Sequence, residues 1–327
     1  MRMVATLLAW ALSAGVACAQ SAPKSAPRAA PAAPRAAPAA PQNAANIDLA
    51  FGAFQRGFYL TAFLEATRRV EQKNDPKAMT LLAELYANGF GIRQDDSKAV
   101  EWYRLAAERG DREAMFALAM FRIGGRGGPK NMDEAAKLLA SAARLGHPAA
   151  AYDLALLYIS GQQFPQDFAR AAELLRQSAN AGSSEAQYAL ATFYKEGRGV
   201  PKDEREAARL MGAAAQAGNL DAQTEYAIAL YNGTGVAKDE AGAAQLLLKA
   251  ARRGSPIAQN RLAHVLASGR GLPANAAEAV KWHMISKAGG TTDLYLDDFA
   301  QRQPPNVREE AEKAAKPWLE AISASRS

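Results

Sequence analysis

Along most of this chain, apolar positions recur at steps of three and four, and that pattern repeats every 36 residues. Glycine marks the step at Gly110, Gly146, Gly182, Gly218, Gly254 and Gly290, and a second column runs Gly89, Gly125, Gly161, Gly197, Gly233 and Gly269. Three alanine columns, starting at Ala78, Ala83 and Ala99, hold through the same six units. Each unit predicts two antiparallel helices. In the first, helix A opens at Asp75 with Pro76 behind it, carries a stripe of Leu82, Leu85 and Tyr86, and ends at Gly89. Helix B opens at Asp95, buries Trp102, Leu105 and Ala106, and stops at Gly110. The cap column of helix A continues as Asp111, His147, Ser183, Asn219 and Ser255, with His147 the one poor cap; that of helix B is Asp or Asn throughout. Glu134, Glu206 and Glu278 stand three residues after their caps and predict capping boxes. Alanine at fixed positions lets paired helices approach closely.

The ends differ. Residues 46–74 predict one further hairpin, Ile47 to Arg56 and Leu60 to Lys73, as an N-terminal cap. Residues 291–327 predict the other cap, helical over Asp293–Gln301 and Val307–Ile322, with Trp318, Leu319 and Ile322 covering the last repeat. Pro317 predicts a kink or break there. At the start, Val4 to Val16 is almost wholly apolar and precedes Ala17-Cys18-Ala19, so residues 1–19 are expected to be a cleaved signal peptide and the protein periplasmic or secreted. A lipid anchor on Cys18 is the less favoured reading, because Gly15 replaces the branched aliphatic residue expected three positions earlier. Residues 20–45, an Ala/Pro repetition, predict an extended disordered linker.

Composition sharpens this. The chain has 39 basic and 33 acidic residues, but four of the basic ones precede residue 46 with no acid among them, leaving 35 against 33 beyond. A balanced surface of that kind argues against nucleic acid as partner. One cysteine excludes a disulfide framework and multi-cysteine metal sites. No membrane span beyond the leader is expected.

The run Ala78-x3-Leu82-Ala83-x2-Tyr86-x2-Gly89-x-Gly91-Ile92, followed by Asp95, Ala99, Trp102-Tyr103, Ala106-Ala107 and Gly110, resembles the Sel-1-like repeat family, a branch of the tetratricopeptide superfamily. The fourth unit is as close, from Ala186 to Ala215. The resemblance covers residues 75–290 and implies an all-α fold: a right-handed α/α superhelical solenoid of stacked helix hairpins. One departure is Gln163-Phe164 where Gly-Val is usual, so that loop is expected to differ. A disulfide-per-repeat branch is associated with penicillin binding or hydrolysis; this chain lacks those cysteines and that activity is not carried over.

No catalytic set, cofactor site or metal site emerges. Gly124-Gly125-Arg126-Gly127-Gly128-Pro129-Lys130 has the wrong spacing for a phosphate loop, with no strand before it. His147, His264 and His283 share no ligand spacing. What remains is a surface. Helix A positions not committed to packing read Phe116, Met120 and Ile123 in unit two, Tyr152, Leu156 and Ile159 in unit three, and Tyr188, Thr192 and Lys195 in unit four. They form either an aromatic and apolar groove on the concave face or a layer packed between consecutive A helices. The resemblance implies a non-catalytic scaffold or adaptor in the bacterial envelope, binding a protein or peptide partner, and a monomer is expected. The alternative is a binder of a cell-wall-derived small molecule, muropeptide or β-lactam-like, with a hydrolase ranked below both.

Overall fold

The structure, a computed structural model, describes residues 48–324. The expected leader, Cys18 and the Ala/Pro-rich linker lie outside the described residues. Those described form sixteen helices: α1 (Leu49–Gln55), α2 (Tyr59–Lys73), α3 (Pro76–Asn88), α4 (Asp96–Glu108), α5 (Arg112–Gly124), α6 (Met132–Arg144), α7 (Pro148–Ser160), α8 (Phe168–Asn180), α9 (Ser184–Glu196), α10 (Glu204–Gln216), α11 (Leu220–Asn232), α12 (Glu240–Arg252), α13 (Pro256–Ser268), α14 (Ala276–Ala288), α15 (Leu294–Gln301) and α16 (Pro305–Ala324). Up to α14 each helix packs on the one before and the one after it. This is an all-α solenoid of hairpins.

Every helix from α3 to α14 starts at a side-chain cap. His147 also caps: its Nδ1 accepts from the Ala150 N–H at 3.1 Å. Only half of each expected capping box forms: the cap side chains accept from the N–H groups of Glu134, Glu206 and Glu278, without the return bond. The backbone N–H that Glu134, Glu206 and Glu278 would have to reach is already used to close the hairpin, donating from Asn131 to the Arg122 carbonyl at 2.9 Å, from Asp203 to Tyr194 at 2.9 Å and from Asn275 to Leu266 at 3.0 Å. The three glutamates turn to cations instead: Glu134 to Arg122, Glu206 to Arg209 and Glu278 to Lys281.

The alanine columns form the inner seam. No member of the Ala78 column is more than 2% exposed, and every member of the Ala83 column is at 0%, so a larger side chain has no room at either. The hairpin loop carries a second contact between units. Arg126 reaches back to the Asp96 carboxylate at 2.6 Å and covers the Phe121 ring at 4.1 Å. Arg198 lies over Phe168 and Arg270 pairs with Glu240 in the same manner. The third unit does differ. Gln163 takes no left-handed conformation, its Oε1 is buried without a hydrogen-bond partner, and Phe164 stacks on Tyr158 at 4.9 Å.

At the N-terminal end, Leu49, Phe51, Phe58, Leu60 and Leu64 of the first hairpin are exposed. At the C-terminal end, α16 continues through Pro317 without the expected break. Pro317 and Lys313, whose carbonyl loses its intrahelical donor, both lie on the exposed side, where water can take that carbonyl. Trp318 of α16 meets Trp282 edge-on at 5.4 Å. The short α15 is pinned by its cap residue. Burial pushes the Asp293 carboxyl up, but hydrogen bonds from Asn260 (2.9 Å), His264 (2.7 Å) and the Leu296 N–H outweigh it and bring the group down to about 2. A depressed carboxyl contributes stability above its unfolded value near 3.8, and that contribution is lost as pH falls toward 2. Asp293→Ala is therefore expected to cost about 1–2 kcal/mol at pH 7 and progressively less below pH 4. Urea melts at both pH values check this; an equal cost at each would contradict it.

Candidate functional site

Consecutive A helices meet in a fixed register. The position held by Phe116 in α5 meets the cap of the next A helix: Phe116 stacks on His147 with ring centres 4.4 Å apart, and the Thr224 hydroxyl lies 3.1 Å from that of Ser255. Two turns on, Lys195 of α9 donates to Glu225 of α11 at 2.7 Å. The residues facing this junction therefore belong to one continuous face.

The nine positions singled out in the sequence divide between the two readings. Leu156 is 41% exposed, and Lys195 is exposed where it meets Glu225. Phe116, Met120, Ile123, Tyr152 and Ile159 are half-buried against the core of units two to four. Tyr188 is half-buried against Ala214, Ala215 and Ala222, and the Thr192 hydroxyl donates to the Tyr188 carbonyl at 3.1 Å. The side chains wedge between A helices and still show part of each ring or chain to solvent.

Acidic residues share this face. Burial pushes the Tyr152 hydroxyl up, and the charges of Glu185 and Asp153 push the same way. Burial, Asp221 and Glu225 do this to Tyr188. Burial also raises the Glu84 carboxyl, helped by Glu113 and Asp111. Burial alone carries the Asp153 carboxyl up to about 6. Of these acids, Glu225 meets Lys195, and Glu113 meets His147 at 3.0 Å. The signal was available: Glu113, Glu185 and Asp221 occupy the column of Lys77, and Asp153 and Glu225 that of Leu81, on either side of the aromatic column.

Between α9 and α11 the face opens into a cleft of about 400 Å³, lined by Lys195, Glu225, Ile228 and Asn232 and floored by Ala207, Ala208 and Met211 of α10. Among the described residues no group of three or more His, Cys, Asp or Glu is placed to hold a metal ion, and no helix is long and apolar enough to cross a membrane. The glycine-rich run around Arg126 is a hairpin loop committed to Asp96 and Phe121.

Comparison with known proteins agrees with the repeat. The profile of a family described as Sel1 repeat matches residues 76–111, 112–147, 148–183, 184–219, 220–255 and 256–283. Among solved structures, a Sel1 repeat protein from Oxalobacter formigenes is 26% identical with a TM-score of 0.60, covering 76% of this chain and 100% of its own. A protective antigen of uropathogenic Escherichia coli strains, displaying an SLR fold, is 23% identical with a TM-score of 0.57, over 82% of this chain and 65% of its own. The curated proteins give no match.

Proposed function

Because this chain belongs to the Sel1 repeat family, we propose that it is a non-catalytic interaction scaffold, exported from the cytoplasm, that holds a partner protein on the face of its A helices. The observation that carries this is the row of half-buried rings and aliphatic chains from Phe116 to Tyr188, with Leu156 standing open beside them. Partly exposed aromatic side chains on rigid, mutually braced helices offer a partner apolar area at little entropic cost. Expression with its own N-terminus, followed by crosslinking in extracts of the envelope fraction, tests the proposal. The wild type is expected to capture a specific protein, and a Phe116→Ala/Tyr152→Ala/Tyr188→Ala variant is expected to lose it. Capture unchanged by the three substitutions would remove this face from the account. A second reading attaches to the cleft of about 400 Å³ over α10, whose size suits a small cell-wall fragment. A saturable rise in melting temperature with a muropeptide would support it.

A further inference from the structure

We propose that the A-helix face takes a basic segment of its protein partner, seating a lysine or arginine side chain at Asp153; this rests on the scaffold reading above. The repeat register makes the case. In α11, Glu225 is met by Lys195 of the preceding A helix at 2.7 Å. Two units earlier the same pair of positions reads Asp153 and Ile123. The acid is retained and its cation is replaced by an aliphatic chain. Asp153 is half-buried, and no hydrogen bond or ion pair reaches its carboxylate among the described residues.

A carboxylate taken from water without a cation is unfavourable for the fold by itself. An incoming ammonium or guanidinium would supply what Lys195 supplies two units on. The surroundings suit such a side chain. The charges of Asp153 and Glu185 both act on the Tyr152 hydroxyl, so a cation held at Asp153 has an aromatic side chain nearby for its stem. Leu156, one turn on and open to solvent, suits an apolar residue next to the basic one. The middle of the face is net acidic. In units two to five, the columns starting at Lys77, Thr80, Leu81, Glu84 and Ala87 carry five acids and one cation, Lys195. That cation is already engaged by Glu225. An acidic partner would meet repulsion along the face, and a basic one attraction.

The experiment is fluorescence anisotropy on the full chain with two labelled, end-capped peptides of equal length, one alternating arginine with leucine, the other glutamate with leucine. The arginine peptide is expected to bind saturably and at least about tenfold more tightly than the glutamate peptide. Asp153→Asn is expected to weaken the arginine peptide about tenfold, the loss of one charge-assisted contact. Asp133→Asn, which removes the same charge from the exposed side of α6, is expected to leave affinity unchanged. Equal weakening by both variants would reduce the effect to net charge and overturn the proposal, and so would equal affinity for the two peptides. If neither peptide binds while partner capture still depends on Phe116, Tyr152 and Tyr188, the basic segment falls and the scaffold stands. If that capture ignores the three substitutions, both fall.

Discussion

Gly235→Ala is expected to destabilise the protein by about 3 kcal/mol, whereas Gly254→Ala, at another repeated glycine, is expected to cost about 1 kcal/mol. Both residues have positive φ, +68° and +91°, so a side chain is strained at either. They differ in what the new methyl group would meet. At Gly254 nothing lies within 4 Å of it. At Gly235 it would fall inside the carbonyl oxygen of Glu204, at the start of α10 in the preceding unit. That obstacle is backbone and cannot rotate away, so the loop must lift off the helix it rests on. The midpoint of thermal unfolding should fall by roughly 6–10 °C for the first variant and by 2–4 °C for the second, for a domain of this size. Equal losses would mean that φ strain alone sets the cost and that the seating of the loop contributes nothing.

Asp153→Asn is expected to act in the opposite direction, stabilising the protein at neutral pH. Burial raises this carboxyl from 3.8 to about 6. The folded state therefore holds its proton longer than the unfolded chain does, and stability falls as pH rises from about 4 to about 6. Above that range the ionised group opposes folding. The full shift corresponds to about 3 kcal/mol, and partial access to water reduces this to about 2 kcal/mol. Asparagine removes the charge and keeps the volume. Urea melts at pH 7.5 should show the variant more stable by that amount, and at pH 4 the two proteins should nearly coincide. A variant less stable at pH 7.5 would mean that the carboxylate has a compensating partner. The result bears on function, since a residue that weakens the fold and strengthens binding is moved in opposite directions by one substitution. A purely structural side chain is moved in one direction.

Much of this fold was legible in the sequence because the repeat averages out local ambiguity. A single cap residue or glycine is a weak signal, but columns of six in step fix where each helix begins and ends, and all twelve repeat helices start at the cap column read from the sequence. The misreadings came where the pattern could be satisfied in more than one way. Glu134, Glu206 and Glu278 have capping-box spacing, yet spacing does not reveal that the N–H they need closes the hairpin instead. Pro317 forbids one hydrogen bond, and only the exposure of that side of α16 shows that the loss is tolerable. The candidate site was half legible. Periodicity located the face that carries Phe116, Tyr152 and Tyr188, but not how deeply each ring sits, because depth depends on the neighbouring unit. Asp153 was overlooked since an acid on a helix is ordinarily a solvated one. Only its register against Ile123 sets it apart from Glu225.

The loop contacts also run in one direction. Outside the third unit, the second glycine of each loop rests on the hairpin before it: Gly91 on Tyr59 and Leu60, Gly127 on Asp96, Gly199 on Phe168, Gly235 on Glu204 and Gly271 on Glu240. In every case the socket precedes its plug in the chain. As the polypeptide is made from its N-terminus, each of these loops finds its seat already present. Shortening the protein from its C-terminal end leaves all remaining plugs seated, while shortening it from the other end leaves the first one hanging. The stack thus has a built-in arrow, and it points the way the chain is synthesised.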